Sequence, residues 1–164
     1  MPMPPPHSPS GVPSPSLFLR EDALKRGVEL ILRAQAALGD AANDLLAKHE
    51  LGKAHHRALI MIARNPGLSL TDLQHLLRVR KQSLAPITDH LVAKGLLDLR
   101  PASRDRRMRL ATLTEKGRDL EQLVFATIRD RMANAYRHAG PKAVGGFWDV
   151  LTALAGEDPI DHEG

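Results

Sequence analysis

Two short apolar segments about three residues apart set the strongest limit on what this chain can fold into. In the first, Leu70, Leu73, Leu76 and Leu77 recur at the three- and four-residue spacing of a helix face. Ser69 stands where an N-cap hydroxyl can take an orphan backbone N–H. Asp72 puts a carboxylate in the first turn, where the helix dipole favours it. In the second segment Leu84, Ile87, Leu91 and Val92 repeat the pattern until Gly95 ends it. The link is Arg78-Val79-Arg80-Lys81, so the pair reads as a helix-turn-helix. Leu96–Arg100 and Arg109–Leu113 follow as two strands around Pro101–Met108. A hairpin in that place makes the unit a winged helix-turn-helix. With a preceding helix from about Lys53 to Arg64, this lobe covers residues 53–113.

The flanks are helical, which makes the fold class mainly α with a small β-hairpin wing. Upstream, Leu24, Val28, Ile31, Leu32, Gln35, Leu38, Ala42 and Leu45 form one stripe. Gly39 is a point where that helix can bend or split, and Gly52 marks its stop. The helix after it carries His56, Leu59, Ile60 and Ala63 on one face. Asn65-Pro66-Gly67 is a turn, since proline fixes φ and glycine accepts the positive φ of a type II corner. Thr114 caps a long helix through about Arg137, with Leu120, Val124, Ile128 and Ala135 as its inner stripe and Phe125 and Met132 on a second face. A last helix runs from about Lys142 to Leu154. Residues 1–16 hold seven of the twelve prolines and cannot bury apolar surface. They read as a disordered Pro/Ser-rich tail, with a proline-rich docking peptide as the alternative. Residues 157–164 read as a flexible C-terminal tail.

Charge decides what the lobe meets. From Arg78 to Arg109 nine cations face three carboxylates, a net of +6 against +4 for the whole chain, so the remainder carries −2. The cations lie on the turn, the start of the second helix and the hairpin. Seven of the nine are Arg, whose guanidinium pairs with phosphate and guanine and enters narrow minor grooves. A solvated basic face is the bland alternative, and the confinement of the charge to a helix-turn-helix and its wing favours duplex DNA. Other classes fall away. Without cysteine there are no disulfides, thiolate zinc sites or cysteine nucleophiles. Aromatic residues are only 3%, too few for a single-strand stacking platform. No Gly-x-Ser-x-Gly elbow, phosphate loop or His-Glu-x-x-His pattern occurs, so neither catalytic residues nor a cofactor are expected. No apolar run approaches bilayer length and no secretory signal is visible, so a cytoplasmic protein is expected.

The run from RNPGLSL to RDLEQLV resembles the MarR family of bacterial winged-helix regulators. The family carries an Asp, an Arg two residues on, and Leu-Thr-x-x-Gly at its last long helix. Here these are Asp105, Arg107, Leu113, Thr114 and Gly117. FLREDALKRGVEL, GKAHHRAL and KQSLA are similar to PetP-type members from alphaproteobacteria. The resemblance implies a homodimer whose first helix and last two helices interdigitate with a partner, here residues 17–52 and 114–156. The second face of the long helix and the pair Phe147 and Trp148 support a dimer independently, because a helix packed within one domain needs a single apolar stripe.

The candidate DNA contacts are Ser69, Thr71, Arg80, Lys81, Gln82 and Ser83 from the helix-turn-helix, and Arg104, Asp105, Arg106, Arg107 and Arg109 from the wing. Lys81, Gln82 and Ser83 would face base edges and phosphates, Arg106 or Arg107 would enter the minor groove, and Asp105 would orient one of them by a salt bridge. Two copies would read a pseudo-palindrome. Pro86 departs from the family, many of whose members have an Arg there. If the helix starts at Lys81, Pro86 kinks it; if Ser83 is the cap, it falls in the first turn and is harmless. His55 and His56 point about 100° apart on a helix and cannot easily share a metal. His56 reads as a satisfied core or interface histidine, and no metal site is expected. The resemblance implies a small aromatic or anionic effector between the lobe and the dimer helices, with His55, Leu59 and Ile62 as candidate lining. The function expected is a ligand-modulated repressor that binds double-stranded DNA. A protein-interaction winged helix, or an activator without effector control, is the alternative.

Overall fold

A computed structural model describes residues 15–156. The expectations for 1–14 and 157–164 lie outside the described residues. Pro15 and Ser16, read above as tail, open a one-turn helix, α1 (Pro15–Phe18). The chain divides into two compact units, the first ending at Gly39 and the second beginning at Asp40.

α2 (Glu21–Lys48) is one unbroken helix, so Gly39 does not split it. Within the first unit its exposed polar side is laced by Lys25–Glu21 and by Arg26 and Arg33 on either side of Glu29. These pairs stand at the three- and four-residue spacing that supports a helix weakly. Its apolar residues Leu24, Val28, Ile31 and Leu32 are all exposed.

In the second unit the elements follow as α3 (Lys53–Arg64), β1 (Leu68–Ser69), α4 (Leu70–Leu77), α5 (Lys81–Ala93), β2 (Leu97–Pro101), β3 (Arg109–Leu113), α6 (Glu115–Ala139) and α7 (Pro141–Ala155). α3 is the hub, packed against α4, α5, β3 and α6. Its inner face is His56, Ala58, Leu59 and Ile62; Ile60 and Ala63, expected inside, are only half-buried. Around them Leu73, Leu77, Leu84, Leu91, Leu96, Leu97, Ala111 and Leu113 close the core. The sheet is antiparallel in the order β1-β3-β2, with Leu97 opposite Leu113 and Pro101 opposite Arg109. β1 was not expected from the sequence. It adds two residues to the wing, Leu68 opposite Ala111 and Ser69 opposite Leu110. The turn before it is as read, with Gly67 at φ +80° and the Leu68 N–H bonded to the Asn65 carbonyl at 3.1 Å.

α6 buries Leu120, Val124 and Ile128, but Ala135, assigned to the same stripe, is exposed. α7 has no buried residue at all. The join between lobe and α6 is tight. Thr114 caps α6 by accepting the Gly117 N–H at 3.0 Å, and its hydroxyl donates to the Gly95 carbonyl at 2.7 Å. A Cβ on Gly117 would stand 2.0 Å from the Leu96 carbonyl oxygen, so only glycine lets the helix lie against this backbone. That is the physical content of the Leu-Thr-x-x-Gly motif here.

Candidate nucleic-acid interface

The helix-turn-helix turns at Arg78, which has φ 52° and ψ 44°, a left-handed conformation rare for a side chain other than glycine. The Arg78 N–H bonds the His75 carbonyl and the Arg57 guanidinium donates to the Leu77 carbonyl at 3.0 Å, so the end of α4 is satisfied from two sides. α5 then starts at Lys81 with Arg80 as N-cap. Ser83 is therefore not the cap, and Pro86 lies in the helix interior. There it supplies no N–H to the Gln82 carbonyl, and α5 nevertheless continues to Ala93. At its far end the Lys94 ammonium holds the Glu50 carboxylate, which lies below its usual range for that reason.

The predicted contact residues do not all share one role. Thr71, Arg80, Lys81, Gln82, Ser83, Arg104, Asp105, Arg106, Arg107 and Arg109 are exposed. Thr71, Lys81 and Arg109 come together on one cleft of about 340 Å³, with Gln74, Ala85 and Asp89 on its walls. Ser69 is buried; its hydroxyl donates to the Asp72 carboxylate at 2.6 Å and accepts the Asp72 N–H at 3.0 Å. It builds α4 and is turned away from the exposed face. Asp105 makes no ion pair with an arginine among the described residues. Its Oδ1 accepts the Arg107 N–H at 2.9 Å and its carbonyl accepts the Met108 N–H, so it shapes the wing turn through the backbone.

The nine cations also separate. Lys94 is paired with Glu50 and Arg100 with Asp98, while the Arg78 guanidinium donates to the Ala155 carbonyl at 2.9 Å. Arg80, Lys81, Arg104, Arg106, Arg107 and Arg109 make no side-chain ion pair or hydrogen bond among the described residues. This unpaired set clusters on the start of α5 and on the wing, and no carboxylate among the described residues forms an ion pair with it, although Asp89 lines the same cleft as Lys81 and Arg109.

The three candidate effector residues differ in burial and in what they touch. Leu59 is fully enclosed in the core. Ile62 edges a separate cleft of about 170 Å³ beside Arg118 and Glu121, whose carboxyl burial pushes up. His55 is half-buried and serves structure: its Nδ1 accepts the Gly52 N–H at 3.1 Å, and its ring lies 4.9 Å from that of His90. Burial, then His90, lowers its pKa. His56 is a core residue as read, but it is not satisfied. Its Nε2 is buried with no partner among the described residues, and burial lowers its pKa too. Among the described residues no group of His, Asp and Glu could hold a metal ion, and no helix is long and apolar enough to cross a membrane.

Residues 49–108 match the sequence profile of the MarR family. The chain is 43% identical over 138 residues to the HTH-type transcriptional regulator PetP of Rhodobacter capsulatus, covering 84% of this chain and 83% of PetP. Among solved structures it is similar to NadR in complex with 4-hydroxyphenylacetate, with a TM-score of 0.71 and 21% identity over 97% of this chain and all of that one. It is also similar to a mutant MarR from E. coli complexed with operator DNA, with a TM-score of 0.62 and 21% identity over 84% of this chain and 97% of that one. The two structural likenesses concern the fold; the likeness to PetP runs through the sequence of both lobe and flanking helices.

Proposed function

Because the chain belongs to the MarR family of DNA-binding transcriptional regulators, which are not enzymes, we propose that it acts as a homodimeric repressor that binds a pseudo-palindromic duplex operator. The observation that carries this reading is the unpaired cationic set at the start of α5 and on the wing. Unpaired arginines give up no existing partner when they meet phosphate, and each neutralised phosphate releases condensed counterions. α5 would lie in the major groove with Gln82 and Ser83 toward base edges. Arg80 and Lys81 would hold the backbone beside it, and Arg106 or Arg107 would enter the adjacent minor groove.

The exposed apolar residues of α2, α6 and α7 favour a second copy. Leu24, Val28, Ile31, Phe125, Phe147 and Trp148 are between 40% and 59% exposed, a load that isolated surface residues do not explain. The NadR complex favours an aromatic carboxylate as the class of effector. The test is a titration of log affinity against log salt on the upstream region of the chain's own gene. A steep negative slope is expected. A slope near zero on duplex DNA would remove the reading, and release of the duplex by aromatic acids checks the effector.

A further inference from the structure

The exposed line of α5 carries a signature of what it reads. On a helix advancing about 100° per residue, Gln82, Pro86, Asp89 and Ala93 fall on one line with Ala85 beside it. All five are exposed, and Leu84 and Leu91 are buried on the opposite side. No Lys or Arg stands on this line. Arg80 and Lys81 precede it, and Lys94 beyond it is tied to Glu50. The commonest direct contact, an Arg or Lys fork on guanine O6 and N7, is therefore not offered by the middle of the helix. What is offered is the Ala85 methyl, the Pro86 ring edge and the Asp89 carboxylate. The Asp89 side chain makes no hydrogen bond or ion pair among the described residues.

Each of these groups has a defined counterpart in the major groove. Apolar carbon fits the C5 methyl of thymine, and a carboxylate accepts from cytosine N4–H. Opposite thymine O4 or guanine O6 the same carboxylate would be desolvated against another acceptor, in a groove already lined by phosphates. It discriminates by penalty as much as by attraction. Resting on the reading above, we propose that α5 packs Ala85 and Pro86 against thymine methyls and sets Asp89 on a cytosine. Each half-site then carries at least one thymine and one cytosine beneath the middle of the helix, and Pro86 is a specificity-determining residue.

The experiment begins by selecting bound duplexes from a random library with the full chain. The consensus is then made with each dT in turn replaced by dU, which removes only the methyl, and with each C·G pair in turn reversed. At one or two thymines per half-site, dU is expected to weaken binding about fourfold, the equivalent of one buried carbon. Pro86→Ser, which restores a helix N–H and so should fold, is expected to abolish that effect at the thymine beneath Pro86 and to spare one held by Ala85. Reversal of one C·G pair per half-site is expected to cost about tenfold, falling to about twofold in Asp89→Asn. A salt-dependent consensus that tolerates every dU and every reversal overturns the proposal and leaves the DNA-binding reading intact. A dU effect that survives Pro86→Ser at every sensitive thymine, or a reversal penalty that survives Asp89→Asn, overturns the assignment to that side chain. Failure to select any duplex defeats the underlying reading instead.

Discussion

The lobe from α3 to β3 and the flanking helices treat apolar surface in opposite ways. In the lobe, Leu59, Leu73 and Leu91 are wholly enclosed, and even buried Thr88 is satisfied by donating to the Ala85 carbonyl at 3.0 Å. α7 carries Phe147, Trp148, Val150, Leu151 and Leu154 and buries none of them, and Leu24, Val28, Ile31 and Leu32 of α2 are likewise open. Trp148 and Tyr136 illustrate the state of that region: the indole N–H donates to the phenol oxygen at 3.0 Å, yet both rings keep an exposed side. One region closes its core within a single chain, while the other leaves large apolar side chains exposed. On the function proposed above, the first region would meet DNA and the second a further copy of the chain.

That contrast can be attacked at several strengths. Charging the α2 stripe with Val28→Glu and Ile31→Glu should leave the lobe folded but weaken operator binding by about a hundredfold, since two linked reading heads bind far better than one. Sedimentation and gel shift of the same sample measure both halves of that expectation. Gly117→Ala should act at the join between α6 and the lobe, costing about 3 kcal/mol in urea unfolding because the added methyl meets the Leu96 backbone. Arg106→Ala with Arg107→Ala should flatten the salt slope by about 2, one for each phosphate that is no longer neutralised, with stability unchanged. Ser69→Ala should cost about 1 kcal/mol of stability by removing the α4 cap and leave the salt slope alone, which separates a structural serine from one that touches DNA.

Acid should also find the lobe. His55 and His56 are both held below the ordinary value of 6.5, chiefly by burial. The unfolded chain therefore takes up protons first as pH falls through 6.5, and stability is lost from there down to the folded-state values. Above 6.5 both states are neutral and the contribution is flat. Melting curves between neutral and mildly acidic pH should show this decline, and His56→Leu should shrink it while removing the unpartnered Nε2. An unchanged slope in that variant would place the effect elsewhere.

Much of the fold is legible in the order of residues. The helix-turn-helix, the wing strands and the caps at Ser69 and Thr114 are local, so periodicity and cap chemistry reveal them. What periodicity misses depends on distant partners. β1 is two residues long, too short to alternate, and exists only because β3 lies beside it. Nothing near Arg78 says that its guanidinium is spent on Ala155, and nothing near Asp105 distinguishes a backbone acceptor from a salt bridge. His55, Leu59 and Ile62 follow one another along α3 at helical spacing, but the face that holds Leu59 and Ile62 is the centre of the core.

The most direct test of the account is the mass of the full chain in solution, free and on DNA. Sedimentation equilibrium over a wide concentration range should give twice the 18.0 kDa of one chain, with one such pair bound per operator. A single chain at every concentration, or one chain bound per operator, would contradict it.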